Sequence, residues 1–311
     1  MTASIFTGLS AFPLTPLAAL GDGTDVVDER AFAGLVDRLA DAGVDSITAL
    51  GSTGSYAYLS TDERARVAKL AVEHAGDTPV VVGVGALRTS DVLANVRNAE
   101  AAGAQGLLLA PLTYQPLTHD DVVGLFREVT SSTDLPVIVY DNPGTTHFTF
   151  TTELYARLAE LPGVASIKIP GMPLDADAMA ERVAAIRAVV PSHVTIGISG
   201  DAYAATALNS GCDAWYSVIA GTLPGPALRI TRAAQAGRTD EADAESARLT
   251  PLWRLFAELG GSLRVVAAIA EQLGLAPDRC LPRPILGLDE EQRARVAEVV
   301  ARLGLRDQPV E

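Results

Sequence analysis

The sequence predicts an α/β fold, a (β/α)8 TIM barrel with a C-terminal helical extension, and three observations carry that expectation. Eight short apolar runs recur along the chain, amphipathic stretches of roughly ten to fifteen residues separate them, and the composition is aliphatic. The chain is 48% hydrophobic but only 5% aromatic, so its core is built from Ala, Val, Leu and Ile, as in parallel strands covered by helices. Its 311 residues suit one such barrel, commonly about 250 residues, with an appendage.

The runs are Ile5–Phe12, Ser46–Leu50, Val80–Val84, Gly106–Ala110, Val137–Tyr140, Ala165–Ile169, Val194–Ile198 and Ala214–Ile219, each bounded by Gly, Pro or Asp. Between them, helices open with capping sequences: Ser60-Thr61-Asp62-Glu63 before Arg64, Thr89-Ser90-Asp91 before Val92, and Thr118-His119-Asp120-Asp121 before Val122. Gly43 and Gly103 place a residue that tolerates the left-handed conformation just past a last helical turn. An open doubly wound sheet could use the same elements, but no G-x-G-x-x-G follows the first run, and Gly83-Val84-Gly85 after the third lacks the rest of that fingerprint. Beyond residue 238 the pattern turns to helix only, over Thr239–Gly260, Ser262–Gly274 and Asp289–Leu303, with Pro282-Arg283-Pro284 before the last. The expected organisation is therefore a barrel over residues 1–238 that carries the active site, and a helical extension over 239–311 packed on it, a candidate subunit contact.

A net charge of −14 argues against nucleic acid or an anionic membrane surface as partner. Cys212 and Cys280 are too few and too far apart for a disulfide framework, and no CxxC or HExxH spacing suggests a metal, so no metal or cofactor is expected. The N-terminal residues lack a basic segment followed by a long apolar one, and no apolar run approaches about 18 residues, which together place the protein in the cytoplasm as an expectation.

Two of the 24 basic residues are lysines, and their settings differ. Lys69 lies on a charged helix face. Lys168 lies inside the apolar run Val164-Ala165-Ser166-Ile167-Lys168-Ile169-Pro170, where burial disfavours the ammonium and frees a neutral amine, a nucleophile for carbonyls. An amine that snorkels past the strand end to water is the alternative on position alone. Barrel active sites gather at the carboxyl ends of the strands. There the second run ends in Gly51-Ser52-Thr53-Gly54, a turn suited to a small carboxylate or phosphate, or simply a tight turn. The fifth ends in Tyr140-Asp141-Asn142-Pro143-Gly144, one βα unit before the lysine; Ser199-Gly200-Asp201 closes the seventh, and Trp215-Tyr216-Ser217 lies in the eighth.

Four of these landmarks, the turn Gly51-Ser52-Thr53-Gly54, the segment Tyr140-Asp141-Asn142-Pro143, the strand lysine in Ile167-Lys168 and Ser199-Gly200-Asp201, in this order and spacing, resemble the dihydrodipicolinate synthase and N-acetylneuraminate lyase family of Schiff-base aldolases over essentially the whole chain. The resemblance implies that Lys168 condenses with pyruvate or another 2-keto acid, that Tyr140 carries protons, and that Thr53 links Tyr140 to a relay. It further implies that the amides around Ser52 and Thr53, with Gly51 and Gly54 shaping the turn, hold the keto acid's carboxylate. Gly200 would face the Schiff base with its carbonyl, and Tyr216 would line the pocket. Two departures bear on substrate. Thr145 stands where the biosynthetic synthase has an arginine that clamps its second substrate, and Thr113 stands where that synthase has a relay tyrosine given across a subunit contact, with Tyr114 one place away. Ser55 also replaces the usual acidic residue after the turn. The expected activity is therefore cleavage or condensation of a 2-keto-3-deoxy sugar acid, with Thr145, Thr146, His147 and Tyr216 facing the aldehyde portion. The alternatives are 4-hydroxy-tetrahydrodipicolinate synthesis, a keto-acid dehydratase, and a non-catalytic keto-acid-binding barrel. A phosphate-binding isomerase would want clustered glycines after the seventh and eighth runs, whereas Gly197, Gly200 and Gly221 are scattered. The family resemblance implies a homotetramer.

Overall fold

A computed structural model of the chain describes residues 5–20, 24–172 and 175–305. Ten strands occur among them: β1 Gly8–Ala11, β2 Leu17–Ala19, β3 Asp25–Val27, β4 Ser46–Ala49, β5 Val80–Gly83, β6 Gly106–Leu109, β7 Val137–Tyr140, β8 Val164–Ile169, β9 Thr195–Ile198 and β10 Ala214–Ser217. Eight of them, β1 and β4 to β10, close into an all-parallel barrel in which β1 pairs with both β4 and β10. Every apolar run of the sequence supplies one of these strands. The hairpin β2–β3, three residues a side, lies outside the barrel and was too short to register as a periodic pattern.

Closure splits the apolar side chains into two cores. A large one lies between strands and helices and includes Leu9, Ile47, Val82, Leu107, Val139, Ile167, Ile196 and Trp215. A smaller one fills the barrel interior with Val81, Leu108, Ile138, Tyr140, Ala214, Tyr216 and Phe12. The alternation of strand side chains produces this division directly. Polar residues that face inward pair with one another: Ser10 Oγ lies 2.8 Å from Thr48 Oγ1, and Ser166 Oγ lies 2.7 Å from the Tyr216 hydroxyl.

Ser60 and Thr118 cap their helices with reciprocal capping boxes to Glu63 and Asp121. Gly43 and Gly103 end theirs at φ 71° and 87°. The third expected cap differs, because the helix starts at Thr89 after Arg88 and no side chain caps it; Ser90 Oγ donates to Asp91 Oδ1 instead. The stretch read as one helix over Thr239–Gly260 is two, Thr239–Arg248 and Thr250–Glu258, since Pro251 lacks an N–H and sits in a first turn. Ser262–Gln272 and Glu290–Arg302 follow. No helix among the described residues is long and apolar enough to cross a membrane.

Candidate active site

The parallel register sets Tyr140 of β7 beside Lys168 of β8, so their side chains rise from neighbouring strands at one level. Lys168 is 2% exposed, with Nζ 3.7 Å from the centre of the Tyr140 ring and 4.7 Å from that of Phe12. Two aromatic faces thus surround the amine in place of a carboxylate partner, since no ion pair to Lys168 occurs among the described residues. Burial lowers its pKa to about 7, opposed in part by the more distant charge of Asp201. At pH 7 roughly half of the amine is then neutral. The amine does not snorkel to bulk water. Below it, Ser166 and Tyr216 are bonded to each other and close the barrel interior on that side.

Asp201 follows β9, the strand paired with β8 on the side away from Tyr140. Its carboxylate accepts from Trp215 Nε1 at 3.1 Å, Ser217 Oγ at 3.1 Å, the Val218 N–H at 3.1 Å and the Ile219 N–H at 2.8 Å. Burial pushes this carboxyl up while those four donors pull it back. The sequence reading took Ser199-Gly200-Asp201 as a turn and missed this clamp between the ends of β9 and β10. An aspartate three residues past a strand, followed by Trp and Ser on the next, was the available signal.

At the end of β4, Leu50 adopts φ 57°, a left-handed conformation that is strained for leucine and reverses the chain into Gly51–Gly54. Glycine at position 51 lets the turn pass close to Phe12, since a Cβ there would lie 2.5 Å from Phe12 Cδ1 and force a shift. The backbone N–H groups of Ser52 and Thr53 donate to no protein acceptor among the described residues. Such paired donors, beside an amine, fit a small carboxylate. The Tyr140 hydroxyl lies 3.3 Å from Ser52 Oγ and accepts from Asn142 Nδ2 at 2.7 Å. Among the described residues the hydroxyl of this turn that meets Tyr140 is that of Ser52, one residue before Thr53, and the turn that sets this begins at the left-handed Leu50. Asn142 was missed, an asparagine before proline reading most simply as a helix cap.

Several other sequence candidates sit differently from expectation. Tyr216 is 1% exposed and its hydroxyl is bound to Ser166, so it plugs the barrel beneath the lysine and presents no polar group at the mouth. The Gly200 carbonyl accepts from the Tyr203 N–H at 3.0 Å, and its Cα packs against Gly171. Thr145 is exposed at the rim, but its Oγ1 donates to the Asn142 carbonyl at 3.4 Å. Gly54 packs under Leu50 and Thr15. Thr113 donates its hydroxyl to the Gln115 carbonyl, and Tyr114 is 87% exposed, so neither reaches Tyr140 within the chain. Behind Tyr140, strand alternation sends Asp141 outward, where it accepts from the Tyr155 hydroxyl at 2.5 Å and is pushed up to about 6 by burial. Arg64, also unread in the sequence, donates to the Gly83 and Gly85 carbonyls at 2.9 Å and braces the end of β5.

Comparison with known proteins gives a consistent result. The model of the dihydrodipicolinate synthetase family matches residues 5–303. A 4-hydroxy-tetrahydrodipicolinate synthase of Halorhodospira halophila is 30% identical over 302 residues, covering 97% of this chain and 98% of that one. A crystal structure of dihydrodipicolinate synthase from Agrobacterium tumefaciens superimposes with TM-score 0.90 at 46% identity, covering 96% of this chain and 98% of the other. The Acinetobacter baumannii dihydrodipicolinate synthase solved with pyruvate gives TM-score 0.85 at 25% identity, covering 97% and 100%. With a closed barrel, a strand lysine under aromatic cover and a match over nearly its full length, this chain belongs to the dihydrodipicolinate synthetase family.

Proposed function

We propose that this enzyme, a lyase of that family, uses Lys168 to form a Schiff base with pyruvate or another 2-keto acid and makes or breaks the carbon–carbon bond of a 2-keto-3-deoxy sugar acid. The neutral amine attacks the keto carbon; the carbinolamine so formed loses its oxygen as water, and a protonated imine remains. That cation is the electron sink. Cleavage of the bond between C3 and C4 leaves its electron pair in an enamine, while the C4 hydroxyl gives up its proton as the aldehyde departs. Tyr140 is the group placed to supply the proton that turns the carbinolamine oxygen into water and to take the one from the C4 hydroxyl. The free N–H groups of Ser52 and Thr53 are the seat for the substrate carboxylate.

One observation carries this reading: a buried amine with a pKa near about 7, set between the rings of Phe12 and Tyr140 and facing the donor turn. The pyruvate complex of the Acinetobacter relative supports it. The sugar-acid assignment rests on Thr145, an exposed hydroxyl in place of the arginine that a carboxylate-bearing aldehyde would want. We further propose a homotetramer in the cytoplasm, in keeping with two buried free cysteines, with residues 239–311 as an extension of the barrel. Borohydride reduction with pyruvate should add mass at Lys168, and pyruvate should be released from 2-keto-3-deoxy sugar acids faster than it is consumed with aspartate semialdehyde. Faster consumption with the semialdehyde would assign synthesis of the tetrahydrodipicolinate type. Ligand binding that survives Lys168→Arg, with no adduct in the parent, would make this a non-catalytic barrel. Light scattering measures the assembly.

A further inference from the structure

Asparagine at a helix N-cap ordinarily turns its side chain back to accept a backbone N–H of the first turn. Asn142 is the N-cap of Pro143–Thr146 and makes no such bond. Its amide instead donates to the Tyr140 hydroxyl at 2.7 Å and to Ser52 Oγ at 3.4 Å. The turn that follows holds it there. The Asn142 carbonyl accepts from the N–H groups of Thr145 and Thr146 at 3.0 and 2.9 Å and from Thr146 Oγ1 at 3.0 Å. Thr146 is fully buried, and Thr145 Oγ1 adds a fourth, longer bond. Four donors on one carbonyl fix the backbone from which the amide projects. The Pro-Gly-Thr-Thr segment is thus a mount for Asn142, which accounts for the bond from the exposed Thr145 hydroxyl back to the Asn142 carbonyl.

We propose that Asn142 is a positioning residue for Tyr140: its amide N–H occupies the phenol oxygen as a donor, so that the phenolic proton is left to face Ser52 or the substrate and the phenolate is stabilised when that proton leaves. This rests on the assignment of Tyr140 as the proton carrier. Among the described residues the phenol hydrogen-bonds to no tyrosine, since Thr113 is bound to Gln115 and Tyr114 is exposed, and its polar contacts there are Asn142 and Ser52. A donor to an oxygen that becomes negative is worth more than a neutral bond, because it strengthens as charge develops. Burial, with a smaller contribution from the charge of Asp141, drives the Tyr140 phenol up, and the bonds from Ser52 and Asn142 oppose that shift. The titratable groups that act on it are Lys168 from β8, Tyr56 from the turn after Gly54 and, from the outer side of the strand, Asp141.

The test uses pyruvate alone, so that the identity of the aldehyde does not enter. Exchange of the pyruvate methyl protons for deuterium, followed by NMR, reports the step from imine to enamine, in which a C3 proton passes to a base and the C–H pair enters the C2–C3 bond. Asn142→Ala is expected to slow this exchange by about 10- to 100-fold at little change in pyruvate KM, the range for a hydrogen bond to a charged group. Its basic limb should move to higher pH, since the phenolate has lost a donor. Asn142→Asp, of the same shape but unable to donate when ionised, should be slower still, and Asn142→Gln should recover part of the rate. If Asn142→Ala and Asn142→Asp exchange within about twofold of the parent, or differ from it only in pyruvate KM with an unmoved limb, the inference is wrong. Borohydride trapping of the parent separates the two levels: an untrapped parent overturns the Schiff-base reading itself, whereas a trapped parent with indifferent Asn142 variants overturns only the role of Asn142.

Discussion

Gly51→Ala tests how tightly the turn and the lysine pocket are coupled. The new Cβ would stand 2.5 Å from Cδ1 and 2.8 Å from Cε1 of Phe12, well inside the usual carbon–carbon separation of about 3.5–4.0 Å. Phe12 has nowhere to retreat. Its ring is edge-on to Tyr216 with centroids 6.1 Å apart, its N–H is bound to the Ser217 carbonyl at 3.0 Å, and its own carbonyl lies 2.1 Å from where a Cβ on Gly221 would fall. The turn must therefore shift outward, carrying the Ser52 hydroxyl away from Tyr140. Overpacking of this kind costs about 1–3 kcal/mol. In a chain of this size that is a fall in melting temperature of roughly 2–8 °C. Gly51 does not need positive φ, so the penalty is steric, and shrinking the neighbour should relieve it. In a double-mutant cycle, Gly51→Ala with Phe12→Ala should be less destabilised than the sum of the singles by about 1–3 kcal/mol. Thermal and urea melts supply the four stabilities, and pyruvate exchange the effect on the site. Additive stabilities, or a Gly51→Ala variant with an unchanged melt and unchanged exchange, would refute the packing argument.

Two further outcomes follow from the same geometry. Lys168→Met should abolish the borohydride adduct yet stabilise the fold: the native amine titrates near about 7 against 10.5 when unfolded, a gap equivalent to roughly 4–5 kcal/mol. Since the unfolded chain binds the extra proton between those values, parental stability should rise with pH from about 7 to 10.5, and the advantage of methionine should be fully present below about 7 and vanish above 10.5; urea melts across that range measure it. Ser52→Ala should slow pyruvate exchange by about 2- to 10-fold through loss of a bond to Tyr140, and more than Thr53→Val does, because Ser52 and not Thr53 carries that contact.

The barrel was legible because each strand is a short apolar run punctuated by Gly, Pro or Asp, and because Lys168 is conspicuous among apolar neighbours. Tyr140 was legible for a related reason: parallel strands one βα unit apart place their ends side by side. What stayed hidden depends on single backbone angles and on partners far along the chain. Which of two adjacent hydroxyls in Ser52-Thr53 meets Tyr140 is decided by the left-handed turn at Leu50, a residue that gives no hint of positive φ. The amide of Asn142 faces Tyr140 because four donors hold its carbonyl, and sequence alone shows only an asparagine before a proline. Tyr216 matched a pocket position by its place in β10, but Ser166 beneath Lys168 takes its hydroxyl into the barrel. Asp201 looked like turn chemistry until Trp215, Ser217, Val218 and Ile219 were seen to converge on it.

The most direct measurement is the pH dependence of adduct formation at Lys168. The initial rate of borohydride-trapped pyruvate, read by peptide mass spectrometry, should follow the neutral amine and reach half its plateau near pH 7, where an ordinary lysine has about one neutral amine in 3,000. A rate that climbs about tenfold per pH unit up to pH 10, or the absence of an adduct at Lys168 with any 2-keto acid, would contradict an uncharged, buried nucleophile.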